Sequence, residues 1–382
     1  MHRNPFSSAE IQRRLTTLRG LIQARGLDAA IFCTPDNVFY LTGLDHWGYF
    51  APHMLIIPAE GSPVLVTRDM EQVSIRNMVH TAEFRGHSDS ETAADEVARV
   101  LGDLGLIGKS IGLEMWSSGL SHGLATALIE LAAADWSDVS GLTDRMRYVK
   151  SAEEQTLIRQ AAIATNAAAK AAIAAIHDGA QEHDVAAECH AAMIRAGGEP
   201  PGFGPFIRPS TRQREEHTTW GHGHYQSGET VFLELSGCVA RYHAPTGRLI
   251  HIGHATDEDA EIAEITERAF QAVVDTLKPG KKARDVYAAW QTVVDDAGLD
   301  HYRRHHCGYL VGAGCQPSWT GGNKVAGLRH DSDLELAEGM SFHILSWLMG
   351  SGRGDFFLSN TVLMGPGGAE VLTTTPHGPV IR

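Results

Sequence analysis

Two stretches of the chain carry the same punctuation, and that repeat limits the fold more than any other feature. Gly179-Ala180-Gln181-Glu182-His183-Asp184-Val185 leads into a helical segment that closes on Ala196-Gly197. Gly280-Lys281-Lys282-Ala283-Arg284-Asp285-Val286 leads into one that closes on Ala297-Gly298. In both copies a glycine, a six-residue approach to Asp-Val and a terminal Ala-Gly keep the same spacing. Each copy follows a long helical segment and precedes strand-rich sequence. Two helix–helix–strand halves predict pseudo-twofold symmetry, with a ligand expected between two halves of one sheet.

The 382 residues are enough for two domains and a sizeable core. A formal net charge of -14 argues against nucleic acid and anionic membrane as partners. No apolar run reaches the length of a bilayer span, and no apolar segment follows Met1-His2-Arg3-Asn4-Pro5-Phe6, so no secretory signal is expected. Cys33, Cys189, Cys238, Cys307 and Cys315 are odd in number and form no Cys-x-x-Cys pair, which predicts a reduced, cytoplasmic protein.

Up to residue 148 the pattern alternates helix and short apolar strand, as in an α/β domain. A Ser7 cap opens a helix through about Arg25, and strands are predicted at 28–33, 53–58, 63–67 and 110–114. A boundary falls near Arg145–Lys150, dividing the chain into 1–148 and 149–382. Ser151-Ala152-Glu153-Glu154 is a capping box that opens a long Ala-rich helix predicted to stop at Gly179.

Within Val231-Phe232-Leu233-Glu234-Leu235 the period of two puts Phe232 and Glu234 on one face and Leu233 and Leu235 on the other. A carboxyl in such a strand is costly unless paired or used. Burial raises its pKa, which suits acid/base chemistry or attack on an electrophilic carbon. The structural alternative is a core glutamate ion-paired with Arg241 or Arg248.

The run Gly228–Gly237, followed by Arg241-Tyr242-His243-Ala244-Pro245, resembles the paired strands of the creatinase/aminopeptidase P/prolidase family, the pita-bread enzymes. The resemblance covers nearly the whole chain. It implies an α/β N-terminal domain joined to an α+β pita-bread catalytic domain with a pseudo-twofold internal repeat, and a homodimer. In metallopeptidase members five residues hold two metal ions. The matching positions here are Glu234, Pro245, Tyr309, Leu345 and Ser359. Only one is a carboxylate, whereas a two-metal site needs several. The expected enzyme therefore has no metal and no cofactor. A lone metal on Glu234 with His217 or His343 is the alternative.

His217 stands eleven residues before Gly228, the spacing of the family's proton-transfer histidine, and its ordinary pKa suits that role. The structural alternative is a histidine that caps a loop. The expected catalytic pair is His217 and Glu234. Substrate contacts are expected from Arg241, Tyr242, His243, Tyr309, Trp319, Arg329 and His343, with Trp47 reaching a partner's site. Trp319 also suits ordinary core packing. Cys307 beside His306 raises a nucleophilic thiol, weakened because neighbours on a strand face opposite ways. Arg241-Tyr242-His243 and Gly339-Met340-Ser341-Phe342-His343 resemble the branch that includes ectoine hydrolases.

The expected activity is metal-independent hydrolysis of a C–N bond in a small amino-acid-derived solute, ectoine-like. Ser359-Asn360 stands where a glutamate is expected in that branch, which leaves a creatinase-like amidinohydrolase open. An Xaa-Pro metallopeptidase and a non-catalytic binding protein on the peptidase fold also stay open.

Overall fold

The structure is a computed structural model that describes residues 4–322 and 324–382. Met1 to Arg3, the start of the segment read for a leader, lie outside the described residues. The chain divides into two compact units, residues 1–147 with 321–324, and 148–320 with 325–382. Among the described residues no helix is long and apolar enough to cross a membrane.

The first unit comprises α1 (Ser8–Ala24), β1 (Ala29–Phe32), α2 (Pro35–Thr42), β2 (Met54–Pro58), β3 (Val64–Arg68), α3 (Gln72–Met78), β4 (Glu83–His87), α4 (Ala93–Asp103), β5 (Ser110–Leu113), α5 (His122–Leu131), β6 (Asp135–Asp138) and α6 (Leu142–Met146). Ser7 caps α1 by accepting the Glu10 N–H. The strands form one mixed sheet in the order β4-β3-β2-β1-β5-β6. Ile31, Ile56, Val66, Val97 and Leu113 are central to its core.

The second unit comprises α7 (Ala152–Ala175), α8 (Glu182–Arg195), β7 (Phe206–Pro209), β8 (Thr230–Val239), β9 (Tyr242–His251), α9 (Asp257–Thr276), α10 (Ala283–Asp296), β10 (Gly308–Leu310), β11 (Ser341–Leu348), β12 (Phe356–Gly365), β13 (Gly368–Val371) and β14 (Val380–Ile381). Ser151 and Glu154 form the full capping box of α7. That helix ends at Ala175, short of the predicted Gly179, which at φ 82° instead turns the chain into α8.

The repeat is a structural one. The main sheet runs β10-β11-β12-β9-β8-β7, so each half lists its strands outward from a centre between β9 and β12. Gly179 N–H donates to Tyr225 O in one half, and Gly280 N–H to Leu336 O in the other. Gln181 bridges His224 just as Lys282 bridges Glu335. The helix pair α7–α8 covers Val231, Leu233 and Leu235 of β8, while α9–α10 covers Phe342, Ile344 and Leu348 of β11. The opposite face of the same strands is left for a site.

The helix layer approaches β8 closely at Gly237. Thr165 Oγ1 accepts the Gly237 N–H at 2.7 Å and donates to Ala244 O at 2.7 Å. A Cβ at residue 237 would lie 2.5 Å from Ala161 O and 2.7 Å from Thr165 N, both backbone atoms. Gly237→Ala is therefore expected to destabilise the protein by about 1–3 kcal/mol through overpacking. Urea denaturation measures this as a lowered midpoint with an unchanged slope.

Candidate active site

The strand register brings the five family positions onto one face. Glu234 on β8 pairs with Gly247 on β9, Gly247 with Ser359 on β12, and Ser359 with Leu345 on β11. Two residues along, Ser236 pairs with Pro245, and Tyr309 with His343. Steps of two keep a side chain on the same face, so both rows look into one space. Glycine at 247 keeps that space open, because a Cβ there would meet the Phe357 ring at 2.3 Å and Ser359 Oγ at 2.9 Å.

The space is a cavity of about 630 Å³, within the range of small-molecule sites. His217, Glu234, Tyr309, Trp319, Arg329 and Leu345 line it, with Phe203, Phe206, Glu216, Arg304, His305, His306 and Trp347. Its base is aromatic. Phe232 stacks on Phe357 at 4.9 Å, and Trp347 lies 4.8 Å from Phe357.

Glu234 is 9% exposed and has no arginine within ion-pair distance among the described residues. Burial pushes its carboxyl up to about 8, while the Arg208 guanidinium pulls the other way. The arginines expected as its ion-pair partners lie elsewhere. Arg248 pairs opposite Leu233, and its donors are taken by the carbonyls of Gly247, Ser359, Thr375 and Pro376 and by Asn360 Oδ1.

His343 sits beside Glu234, Nε2 to Oε1 at 3.8 Å. Burial holds its imidazole neutral, down to about 3, with nearby His306 and Arg248 adding to the effect. It belongs to a hydrogen-bonded chain. Trp319 Nε1–H, which can only donate, gives to Tyr309 Oη at 3.0 Å. Tyr309 Oη is hydrogen-bonded to His343 Nδ1 at 3.0 Å, and His343 Nε2 to Ser359 Oγ at 2.7 Å. Tyr309 itself stays protonated, because burial raises its pKa well above the usual range.

His217 is exposed, on the loop between β7 and β8, at φ 55°. That conformation costs a non-glycine residue about 1–3 kcal/mol and is more frequent at functional sites. Phe206 packs against its ring at 5.8 Å. Arg208, which sequence reasoning missed, spans the base of this loop. Its guanidinium lies 4.3 Å from the Phe232 ring and donates to the carbonyls of Gln213 and Thr218.

Four expected contacts do not line the cavity. His343 is fully buried beside Glu234. Arg241, Tyr242 and His243 belong to the far end of the β8–β9 hairpin, roughly 13–20 Å along the strands from Glu234. Tyr242 is fully buried and donates to Glu154 of α7 at 2.7 Å. His243 is fully buried, accepts the Gly202 N–H at 2.8 Å, and is pushed down to about 4 by burial. Arg241 forms the turn, at φ 64°. These are supports of the fold. Trp47 belongs to the first unit and is 60% exposed. Cys307 faces away from the cavity into the α9–α10 core, and burial raises its thiol pKa, so it is no nucleophile.

The residues present do not fit a two-metal centre. Pro245 and Leu345 offer no donor, and Ser359 and Tyr309 offer neutral hydroxyls. Among the described residues no group of three or more His, Cys, Asp or Glu is placed to hold a metal ion.

A creatinase-type N-terminal domain followed by a pita-bread domain is the hydrolase class that fold and site define. The chain belongs to metallopeptidase family M24, whose model matches residues 156–366, and the Creatinase/Prolidase N-terminal domain matches residues 14–149. It is 25% identical to an ectoine hydrolase of Halomonas elongata over 98% of this chain and 97% of that one. It is also 25% identical to a Xaa-Pro dipeptidase of Pyrococcus horikoshii, over 91% and 93%. The solved Xaa-Pro dipeptidase of Bacillus anthracis superposes with a TM-score of 0.85 at 21% identity, covering 97% of this chain and 100% of that one.

The raised Glu234 pKa has a consequence for stability. The folded carboxyl holds its proton more tightly than an unfolded glutamate of ordinary pKa, ~4.3. Its contribution to folding is therefore complete below that value and is lost as pH rises through about 8. His343, His306 and His243 act on the acid side, where protons must be forced onto them in the fold. We expect the stability of wild type relative to Glu234→Gln to fall between about pH 5 and about pH 9 in urea denaturation. A difference that is flat across this window would show the carboxyl is ionised in the fold.

Proposed function

We propose that this protein is a metal-independent hydrolase of a C–N bond in a small amino-acid-derived solute, ectoine-like in class. The observation that carries the reading is the buried carboxyl of Glu234 beside a neutral His343, at family positions that otherwise hold no carboxylate. Water adds its oxygen to the amidine or amide carbon and gives its proton to His217. The C–N bond then breaks as the leaving nitrogen takes a proton from Glu234. One water is consumed: an amidine becomes an amide and an amine, an amide becomes an acid and an amine, and the proton on His217 returns through solvent to Glu234. Tyr309 and Ser359 hold the two ring nitrogens of His343 beside Glu234, and its lowered pKa keeps it from competing for the Glu234 proton.

The H. elongata relative favours this substrate class over dipeptides, because the donor set at the five positions is wrong for two metals. The enzyme is expected to work in the cytoplasm as a homodimer. Exposed Trp47 and Phe50 of the first unit are suited to reach a partner's site.

The test is turnover of ectoine, creatine and an Xaa-Pro dipeptide by purified protein, with and without chelator, alongside elemental analysis. Ectoine hydrolysis untouched by chelator is expected. Turnover of the Xaa-Pro dipeptide that needs added metal would overturn the proposal. His217→Ala and Glu234→Gln should each lower turnover by ~10²–10⁴-fold with the fold intact, the usual worth of positioned proton transfer. Full turnover by Glu234→Gln would remove it from the chemistry.

A further inference from the structure

We infer that Glu182 is a positioning residue: through Arg212 it holds the loop that presents His217 to the cavity. This role rests on His217 being the base of the proposed hydrolysis, and it deepens that reading.

His217 is carried on a run of successive turns. Glu215 N–H donates to Arg212 O at 3.0 Å, and Thr218 N–H to Glu215 O at 3.4 Å. Exposed turns of this kind open easily, so the side chains that tie them down decide where the histidine stands. Arg212 joins the two sides of the run, because its Nη1 donates to Thr219 O at 3.1 Å. Its Nη2 donates to Glu182 Oε2, which also accepts the Gly221 N–H at 2.6 Å. One carboxylate thus holds the chain before His217 and the chain after it. Glu182 is buried and begins α8, where the positive end of the helix favours its charge. In the loop so held, the His217 ring lies against Phe203 and Phe206 of the cavity wall.

The internal repeat separates this role from a general structural one. Glu182 follows Gly179 at the same spacing as Ala283 follows Gly280, so the matching position in the second half is an alanine. The backbone joint is nevertheless the same in both halves. Glu182 N–H donates to Gly223 O at 3.1 Å, and Ala283 N–H to Leu334 O at 2.9 Å. The fold therefore makes this joint without a carboxylate. The carboxylate stands only in the half that carries His217.

The test is a double-mutant cycle on turnover, together with amide hydrogen exchange read by mass spectrometry. Glu182→Ala should lower kcat about 10- to 100-fold with KM little changed, the cost of a catalytic group displaced by about 1 Å. In a His217→Ala background the same substitution should cost nothing further, because the group it misplaces is already gone. Exchange should quicken across residues 210–224 and stay unchanged elsewhere. A loss of equal size with and without His217, or unchanged exchange in the loop, overturns the inference. If Glu182→Ala does not fold, Arg212→Met, at a partly exposed position, goes through the same cycle. If wild type turns over none of ectoine, creatine and an Xaa-Pro dipeptide, the hydrolase reading falls, and exchange in the loop alone decides whether Glu182 holds it.

Discussion

One row of strand pairings, Glu234 to Gly247 to Ser359 to Leu345, governs the site. It crosses β8, β9, β12 and β11 and so joins the two halves of the repeat through their shared centre. Everything else follows from what the row allows. A side chain at 247 would push Phe357 and Ser359 apart, so the floor needs a glycine there. With that floor in place, Glu234 faces aromatic carbon instead of water. Its carboxyl then holds its proton more tightly than an ordinary glutamate, which is the chemical property the proposed reaction uses.

The neighbouring row gives the carboxyl its company. His343, Tyr309 and Trp319 form a hydrogen-bonded series that begins at an indole N–H, which can only donate. The series holds the imidazole without a charged group in it. This is a different way of controlling a histidine from the usual carboxylate partner. It suits a cavity in which a second negative charge would compete with Glu234 for the proton.

Much of this was legible in the sequence. The Gly to Asp-Val to Ala-Gly spacing foretold two equivalent halves, and the Ser151–Glu154 box marked the start of α7. Alternation alone separated Glu234 from Leu233 and Leu235. The errors have one cause. Arg241-Tyr242-His243 is close to Glu234 in number, but a ten-residue strand carries the hairpin end far from its middle. Arg208 went unread for the converse reason. β7 is only four residues long and shows no clear period. The placement of Arg208 depends on which strand β7 pairs with, and that is decided by contacts distant in sequence.

The packing of Leu345 reaches beyond the present chemistry. It belongs to a cluster with Phe206, Phe232, Trp319, Trp347 and Phe357, so the space that a ligating carboxylate would need is filled with hydrocarbon. A glutamate restored at 345 alone would face that cluster, and an aspartate restored at 245 alone would have only Glu234 to share an ion with. Each single step backward adds an uncompensated charge to a dry floor. A two-metal floor would therefore be reached from this one only by several substitutions made together, because the aromatic packing around Leu345 has to be rebuilt along with the ligands.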